Sequence, residues 1–289
     1  MLAIRKNLVH IKSIKEMRKS KYLKKLLAPI MAVLVFLVGV NSAYSQDRDI
    51  LKEVLDRGTL RIAVQGGQPP YSIFKPDGTP AGYEIDIGIS IAEALGVEPV
   101  WIKIDAAGRV TALQTGKADI TIANFTANFK RSQVISFTDP YMVVGMIFLC
   151  SSDRSDIQSI DDINNASIKV GFGRGSTQEV LVPAAAPKTT IVRFGGMADV
   201  MEAIFSGRID CLALDNIASS GLLTANPGKL KIIPGKFSRE DIAIGLPKGD
   251  FEWWRLLQTW MRDFNLAGKN DALFKKWFKS ERPTIFETF

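Results

Sequence analysis

The sequence predicts an α/β protein made of two halves with similar architecture. Apolar β-type runs alternate with segments of helical spacing, and the connections between them are short. The alternation starts again after Pro140. Residues 112–119 and 203–210 also share one frame, in which a helix end is followed by a glycine, a basic residue and a strand. Such alternation is typical of a parallel sheet covered by helices on both faces, and we expect one in each half.

A targeting segment precedes the first predicted element. Residues 1–27 carry nine basic side chains and one acid, and residues 28–40 are uncharged and mostly apolar. Ala43-Tyr44-Ser45 then places small residues at the positions that a signal peptidase inspects. We expect residues 1–45 to be a secretory signal peptide, with cleavage before Gln46 or after Ala43. A retained membrane anchor is the alternative, but the apolar core is shorter than the roughly 20 residues that a spanning helix needs.

The charge and the rare residue types exclude several functions. The chain has 37 basic and 30 acidic residues, and without the nine basic residues and one acid of the leader 28 and 29 remain. This balance gives no general positive field for nucleic acid. The single histidine, His10, lies in the leader, so a histidine base or metal ligand is excluded for the mature protein. Cys150 and Cys211 lie in apolar runs, and a disulfide and two buried thiols both remain open.

The first half follows in order from apolar spacing and from glycine and proline stops. Glycine commonly ends a helix, and proline cannot continue a strand because it lacks an N–H donor. We expect a helix over residues 50–57 ending at Gly58, strands over 60–64 and 71–74, a helix over 85–95 ending at Gly96, a strand over 100–104, a helix near 110–114 and a strand over 118–122.

The second half repeats the pattern and ends in two amphipathic helices. Its tryptophans could form a sugar-stacking surface, but their helical spacing favours packing into a core. We expect strands over 143–149 and 168–172, a glycine-rich turn over 173–177 that leads into a helix, a strand over 191–194, a helix face over 200–205 ending at Gly207, strands over 209–214 and 242–246, and helices carrying Trp253, Trp254, Trp260 and Trp277.

One polar turn has the chemistry of an anion site. The run Ala123-Asn124-Phe125-Thr126 ends a predicted strand, and Arg131 follows about one helical turn later. Backbone N–H groups at such an end have no internal partner, and a guanidinium offers a planar fork of donors. The stretch therefore suits a small carboxylate. The alternative is a surface arginine after an ordinary loop.

Several separated stretches, taken together and in order, carry a family resemblance. They are residues 60–64, 69–72, 82–87, 112–119, 131–141, 175–178, 207–215 and 268–278. This set resembles the periplasmic amino-acid-binding proteins of ABC importers, the polar amino-acid group with the type II binding-protein fold. The resemblance covers nearly all of residues 50–280. It implies two α/β sandwich lobes joined by a two-strand hinge, with lobe 1 over 46–145 plus 241–289 and lobe 2 over 146–240.

The resemblance also implies which residues hold an amino acid in the cleft between the lobes. Arg131 would grip the α-carboxylate, helped by backbone N–H groups at Thr126 and Thr177. Asp215, the Thr126 hydroxyl and the Asn124 carbonyl would hold the α-ammonium. Both charges must be paired, because an unpaired buried charge costs several kcal/mol. Ser176 belongs to the same glycine-rich turn as Thr177 and is expected to contact the ligand.

Side-chain specificity is predicted from positions that depart from the family pattern. Gln68 and Ala106 stand where basic amino-acid binders carry aromatic residues, which argues against aromatic clamping of a cationic tail. Arg109 matches an arginine that meets the side-chain carboxylate in acidic amino-acid binders. These positions favour an acidic or small polar ligand. Arg174 is expected either to reach the ligand side chain or to face solvent.

Some residues have simpler interpretations. Asp215 could merely cap the helix that follows it, and Asp86 and Asp139 are expected to be structural. An enzyme on the same scaffold, similar to the cyclohexadienyl dehydratases, would use a glutamate near the glycine-rich turn as its acid, and Glu179 stands in a comparable place. A binder of another amino-acid derivative and a sensor or adhesin module are further alternatives.

The resemblance further implies the partners and the location of the protein. We expect a monomeric periplasmic binding protein that is not an enzyme and that serves an inner-membrane ABC permease. No cofactor, metal or nucleic acid is expected. The sequence does not give the side chain of the ligand.

Overall fold

A computed structural model describes residues 48–283 of the chain. The predicted signal peptide lies outside these residues. Of the described residues, 49–283 belong to one compact unit. Within residues 48–283, no helix is both long enough and apolar enough to cross a membrane.

The described chain alternates helices and strands almost throughout. Numbered in chain order, the elements are α1 (Ile50–Arg57), β1 (Thr59–Gln65), β2 (Ile73–Phe74), β3 (Pro80–Ala81), α2 (Tyr83–Leu95), β4 (Glu98–Ile104), α3 (Gly108–Gln114), β5 (Ile120–Thr121), α4 (Phe129–Ser132), β6 (Ser136–Val144), β7 (Met146–Ser151), α5 (Ile160–Ile163), β8 (Lys169–Gly173), α6 (Gln178–Ala185), β9 (Thr190–Phe194), α7 (Met197–Phe205), β10 (Cys211–Asp215), α8 (Asn216–Ala225), β11 (Leu230–Ile233), β12 (Glu240–Leu246), α9 (Phe251–Leu266) and α10 (Lys269–Phe278).

Two five-stranded sheets form the frameworks of two lobes. The sheet of lobe 1 has the order β4-β1-β5-β12-β6, and the sheet of lobe 2 has the order β11-β7-β10-β8-β9. A separate small hairpin pairs β2 with β3. Most of the predicted elements are present at the expected places, and β11 is a strand that the sequence analysis did not predict.

The prediction of purely parallel sheets is wrong. Strand β1 runs parallel to β4 and β5, and β8 runs parallel to β9 and β10. However, β12 is antiparallel to β5 and β6, and β7 is antiparallel to β10 and β11. Parallel neighbours need a crossover helix between them. Strands β7 and β12 instead arrive directly from the other lobe, so each enters its sheet in the reverse direction.

Two segments connect the lobes. The chain leaves the first sheet at Val144, passes through Gly145 and enters the second sheet at Met146, and it returns through residues 234–239. Asn216 makes two hydrogen bonds to Gly145. Its backbone N–H donates to the Gly145 carbonyl oxygen, and its side-chain Oδ1 accepts from the Gly145 N–H, both at 2.8 Å. The Met146 N–H donates to Ser238 Oγ at 3.2 Å. The predicted two-lobed α/β fold with a two-strand hinge is confirmed.

The tryptophans of the C-terminal helices pack into the core of lobe 1, as expected. Trp253 is fully buried, and Trp254, Trp260 and Trp277 are partly buried against the same apolar cluster. The Trp253 indole donates to the Asp119 carbonyl oxygen at 3.3 Å, which joins α9 to the start of β5. This helix therefore covers one face of the first sheet rather than forming a binding surface.

Two acidic residues with a predicted structural role lie away from the site. Asp86 Oδ2 accepts from Lys276 Nζ and from the Trp277 indole, both at 2.7 Å, which ties α10 to α2. Asp139 is exposed, and its backbone N–H donates to Gln258 Oε1 at 2.6 Å.

The structure distinguishes between a disulfide and two buried thiols for the two cysteines. Cys150 on β7 and Cys211 on β10 face each other in the antiparallel register and form a disulfide. Both residues are fully buried. The bond links two central strands of lobe 2.

Candidate functional site

A polar cavity lies between the two sheets and is partly open to solvent. Both lobes contribute to its wall. Seven of the nine predicted ligand-binding residues line it, namely Gln68, Arg109, Asn124, Thr126, Ser176, Thr177 and Asp215. The other two, Arg131 and Arg174, are not part of the lining.

Asp215 ends β10 and is 3 % exposed. Its Oδ1 accepts from the Ala218 backbone N–H at 2.7 Å, so it caps α8, and it also accepts from the Tyr71 hydroxyl at 2.8 Å. Its Oδ2 accepts from Asn124 Nδ2 at 2.9 Å. Burial raises the pKa of this carboxyl, while these hydrogen bonds act in the opposite direction. Capping and lining the cavity are therefore compatible, because the same carboxylate does both.

Asn124 connects the wall of lobe 1 to Asp215 on lobe 2. Its φ of 44° lies in the left-handed region, which asparagine tolerates better than most residues. This backbone turn directs the Asn124 N–H to Glu84 Oε1 at 2.5 Å, while its side chain donates to Asp215.

Glu84 is a buried carboxyl that the sequence analysis did not consider beyond its place in a family stretch. It is fully buried on α2, and its Oε1 also accepts from the Tyr141 hydroxyl at 2.7 Å. Burial raises the pKa of Glu84 to about 7, although both hydrogen bonds and the nearby Arg109 oppose the rise. Glu84 thus supports the Asn124 turn from behind.

Thr126 lies against the first residue of β12. Its hydroxyl donates to Glu240 Oε1 at 3.1 Å. The neighbouring backbone is attached to the same strand, since the Ala127 N–H donates to the Asp241 carbonyl oxygen at 2.8 Å and the Ala243 N–H donates to the Phe125 carbonyl oxygen at 3.1 Å. The position of Thr126 is consequently set by the return strand from lobe 2.

Glu240 is a lining residue that the sequence analysis missed. It is 5 % exposed and accepts a hydrogen bond from the Thr126 hydroxyl. Burial is the main cause of the raised pKa of this carboxyl. The only sequence signal was the acidic pair Glu240-Asp241 ahead of an apolar strand, a pattern too common to single out a site.

Arg131 joins the two lobes at the edge of the cavity. Its Nη1 donates to the Thr126 carbonyl oxygen at 2.7 Å, and its Nη2 donates to the Gly175 carbonyl oxygen of lobe 2 at 3.1 Å. The guanidinium lies 4.8 Å from the centroid of the Phe125 ring. Burial lowers its pKa to about 10. The Arg131 guanidinium thus lies beside Thr126, but some of its N–H groups already donate to backbone carbonyl oxygens.

Arg109 is almost fully buried and donates mainly to backbone carbonyls. Its guanidinium bonds four of them, belonging to Ala106 (2.9 Å), Ala123 (3.2 Å), Asn124 (2.7 Å) and Gly175 (3.4 Å). Burial, and then the nearby Arg131, lower its pKa to about 9. Since a guanidinium has five N–H donors, most of them are used within the protein.

The glycine-rich turn of lobe 2 approaches lobe 1 closely. Gly175 has a left-handed φ of 75°, and a Cβ added there would lie 2.6 Å from Ala107 Cα. Ser176 Oγ donates to the Gly173 carbonyl oxygen at 2.6 Å. The side chain of Arg174 is exposed and lies outside the cavity, in agreement with the solvent-facing alternative.

Two further groups bear on the ligand and on the enzyme alternative. Gln68 is 6 % exposed, and its buried Oε1 accepts no hydrogen bond from residues 48–283. Glu179 is not a lining residue, and its Oε2 accepts from Arg193 Nε at 2.6 Å. In the described part of the chain, no group of three or more His, Cys, Asp or Glu side chains could hold a metal ion.

Comparison with known proteins shows the family of the chain. Residues 60–280 match the sequence profile of the bacterial extracellular solute-binding proteins, family 3. The chain is 25 % identical to the L-cystine-binding protein of Escherichia coli K12 over 87 % of its own length and 94 % of that protein. It is 27 % identical to the L-arginine-binding protein of Pseudomonas aeruginosa over 76 % of its length and 87 % of that protein.

A solved structure agrees with these relatives. The crystal structure of an ancestral amino acid-binding protein, a precursor of cyclohexadienyl dehydratase, is 30 % identical and superposes with a TM-score of 0.74. The match covers 79 % of this chain and 99 % of that one. Because the family profile spans most of the sequence and the fold agrees, the chain belongs to family 3 of the bacterial extracellular solute-binding proteins.

Proposed function

We propose that this protein captures an amino acid in the cavity between its lobes and delivers it to an ABC-type permease. The observation that carries the proposal is the arrangement of charge around one cavity. Asp215 lines it from lobe 2, Thr126 and Asn124 line it from lobe 1, and Arg131 lies beside Thr126. A zwitterion that leaves water needs partners for both charges, and this site offers them.

The proposed roles follow from the available atoms. Arg131 would release its hydrogen bond to the Gly175 carbonyl oxygen and donate to the α-carboxylate of the ligand instead. The backbone N–H groups of Thr126 and Thr177 would donate to the same carboxylate. Asp215 and the Thr126 hydroxyl would receive the α-ammonium. Because these groups come from both lobes, the ligand would favour the closed state by contacts that an open state lacks.

We propose a small polar side chain for the ligand, with an acidic one as the alternative. Most donors of Arg109 are already used by backbone carbonyls, and the lining contains the carboxyls of both Asp215 and Glu240. A second ligand carboxylate would meet this excess of negative charge. Gln68, with its buried and unpaired Oε1, is the candidate contact for the polar side chain.

We propose that the protein acts without catalysis. The glutamate suggested as a general acid, Glu179, is ion-paired with Arg193 and lies outside the cavity. We also propose that the mature protein is a periplasmic monomer, with lobe 1 over residues 46–145 plus 241–289 and lobe 2 over 146–240.

A thermal-shift screen tests the proposal, because a ligand that binds only the native state raises the melting temperature by mass action. The twenty standard L-amino acids, L-cystine and common opines are the probes, and hits are measured by calorimetry. We expect one or a few small polar amino acids to stabilise the protein. A protein that binds no amino acid but consumes prephenate or arogenate in a spectrophotometric assay would instead be the dehydratase.

A further inference from the structure

Neither the predicted ligand contacts nor the hinge requires an acidic residue at the position of Glu240. It begins β12 at the point where the chain returns from lobe 2, and it pairs with Val144 at the point where the chain leaves lobe 1. Its side chain is 5 % exposed and faces the cavity. Burial of a charged carboxyl costs free energy unless it gains compensating partners, because the charge loses its contacts with water.

Its contact with Thr126 decides how a hydroxyl group faces the cavity. Thr126, on lobe 1, donates its hydroxyl hydrogen to Glu240 Oε1 at 3.1 Å. A threonine hydroxyl has one hydrogen to donate. Once that hydrogen is given to a carboxylate, the oxygen can present only lone pairs to a ligand. The Thr126 hydroxyl is then an acceptor, which suits an ammonium group.

The surrounding charges reinforce this polarity. Asp215 lines the same cavity, so two carboxyls face the bound molecule. Arg109 and Arg131 act on Glu240 from the side of lobe 1 and favour its ionised form, whereas Asp215 disfavours it. The positive charge of Arg109 is directed mainly at backbone carbonyls. A ligand cation therefore meets two carboxyls and the lone pairs of the Thr126 hydroxyl.

We propose that Glu240 is a specificity-determining residue, which orients the Thr126 hydroxyl as an acceptor and thereby selects ligands with an α-ammonium over analogues with an α-hydroxyl. This inference rests on the proposed function, and it names the discrimination that the site performs. Glu240 acts partly through Thr126, so its removal should change selectivity more than it changes the fold.

The experiment compares amino acids with the 2-hydroxy acids that carry the same side chain. The tightest binder among the twenty standard L-amino acids and L-cystine is titrated by calorimetry beside its 2-hydroxy counterpart. The proteins are the wild type, Glu240→Gln and Asp241→Asn. Asp241 is a matched control because it is the next residue on the strand but lies outside the cavity and pairs with Arg239.

We expect the wild type and Asp241→Asn to prefer the amino acid by about 100-fold or more, since a site built for one hydrogen-bonding group rejects an analogue that lacks it. Glu240→Gln should lower this ratio by about tenfold or more while it keeps the unfolding temperature of the ligand-free protein. A Glu240→Gln protein with the wild-type ratio, or with equal losses for both molecules, would overturn the inference.

A second variant covers the case in which Glu240→Gln does not fold. Glu240→Asp keeps the charge but withdraws the carboxylate by one methylene from the Thr126 hydroxyl, so we expect a partial fall in the ratio. An unchanged ratio in Glu240→Asp would contradict the orienting role. Failure of the proposed function looks different, because the wild type itself would then bind no amino acid.

Discussion

Single residues in this site combine structural and binding chemistry. Asp215 caps a helix and lines the cavity, and Asn124 uses a left-handed backbone to reach both Glu84 and Asp215. Arg131 connects the Thr126 and Gly175 carbonyls while it lies next to the proposed carboxylate position. Substitutions here therefore need controls that separate stability from affinity.

Arg131→Ala tests the proposed carboxylate grip. Removal of the guanidinium should weaken amino-acid binding by about 2–4 kcal/mol, as expected for the loss of charge-assisted hydrogen bonds. Calorimetric titration of the best amino acid measures the change. Lys130→Ala is the matched control, because it removes an adjacent, exposed positive charge. Wild-type affinity in Arg131→Ala would refute the assignment of this residue.

Glu84→Gln tests the consequence of burying a carboxyl. The pKa of Glu84 is raised from 4.5 to about 7 in the folded protein, so between these values the folded state binds more protons than the unfolded state. The free energy of unfolding should consequently fall as the pH rises through this window, by up to about 3 kcal/mol from this group. Glu84→Gln lacks this titrating group. Its free energy of unfolding, relative to that of the wild type, should therefore increase from pH 5 to pH 8.

Urea unfolding of both proteins at pH 5 and pH 8 measures this difference. Glu93→Gln, an exposed position on the same helix, controls for the loss of one acid. If the stability difference between wild type and Glu84→Gln is the same at both pH values, burial does not control the titration of this residue.

At the scale of elements, the antiparallel strands are what join the lobes and build the site. Strand β12 carries Glu240 and fixes the backbone around Thr126, and β10 ends at Asp215. The disulfide between Cys150 and Cys211 holds β10 to β7 in lobe 2. It thus stabilises the strand that supplies Asp215 without being part of the cavity wall.

Replacement of both cysteines by alanine tests the contribution of that disulfide. The bond closes a loop with a sequence separation of 61 residues, and the chain-entropy model gives about 4 kcal/mol for a loop of this size. We expect chemical denaturation to show a loss of this order, with little change in amino-acid affinity. An undiminished stability would contradict the expected contribution of this disulfide.

At the scale of the whole molecule, closure depends on close approach between the glycine-rich turn and lobe 1. The Gly175 carbonyl accepts from both Arg109 and Arg131, and the residue leaves no space for a Cβ against Ala107. At this turn, the contact between the lobes is made of the Gly175 backbone on one side and two guanidinium groups on the other.

Gly175→Ala should hinder this closure. The added methyl would lie 2.6 Å from Ala107 Cα, so we expect at least a tenfold loss of amino-acid affinity, or about 1.4 kcal/mol. Small-angle scattering should also show a larger radius of gyration at a saturating amino-acid concentration. Gly207→Ala is the control, because Gly207 also has a left-handed φ but open space around its Cβ position. Equal affinities in the two variants would show that the turn does not limit closure.

The sequence alone determined the α/β alternation, the positions of most helices and strands, and the burial of the tryptophan-bearing helix. These features follow from apolar spacing and from residues that stop helices and strands, which are properties of neighbouring residues. The family resemblance, carried by ordered motifs, also predicted seven residues that the cavity brings together.

Only the tertiary structure decided the antiparallel direction of β7 and β12, the pairing of Cys150 with Cys211, and the entry of Glu240 into the cavity wall. It also decided that Arg109 donates mainly to backbone carbonyls. These features depend on contacts between segments that are far apart in the sequence, and on the hydrogen-bond partners that a side chain has once it is buried away from water. The local pattern of residue types specifies neither the contacts nor the partners.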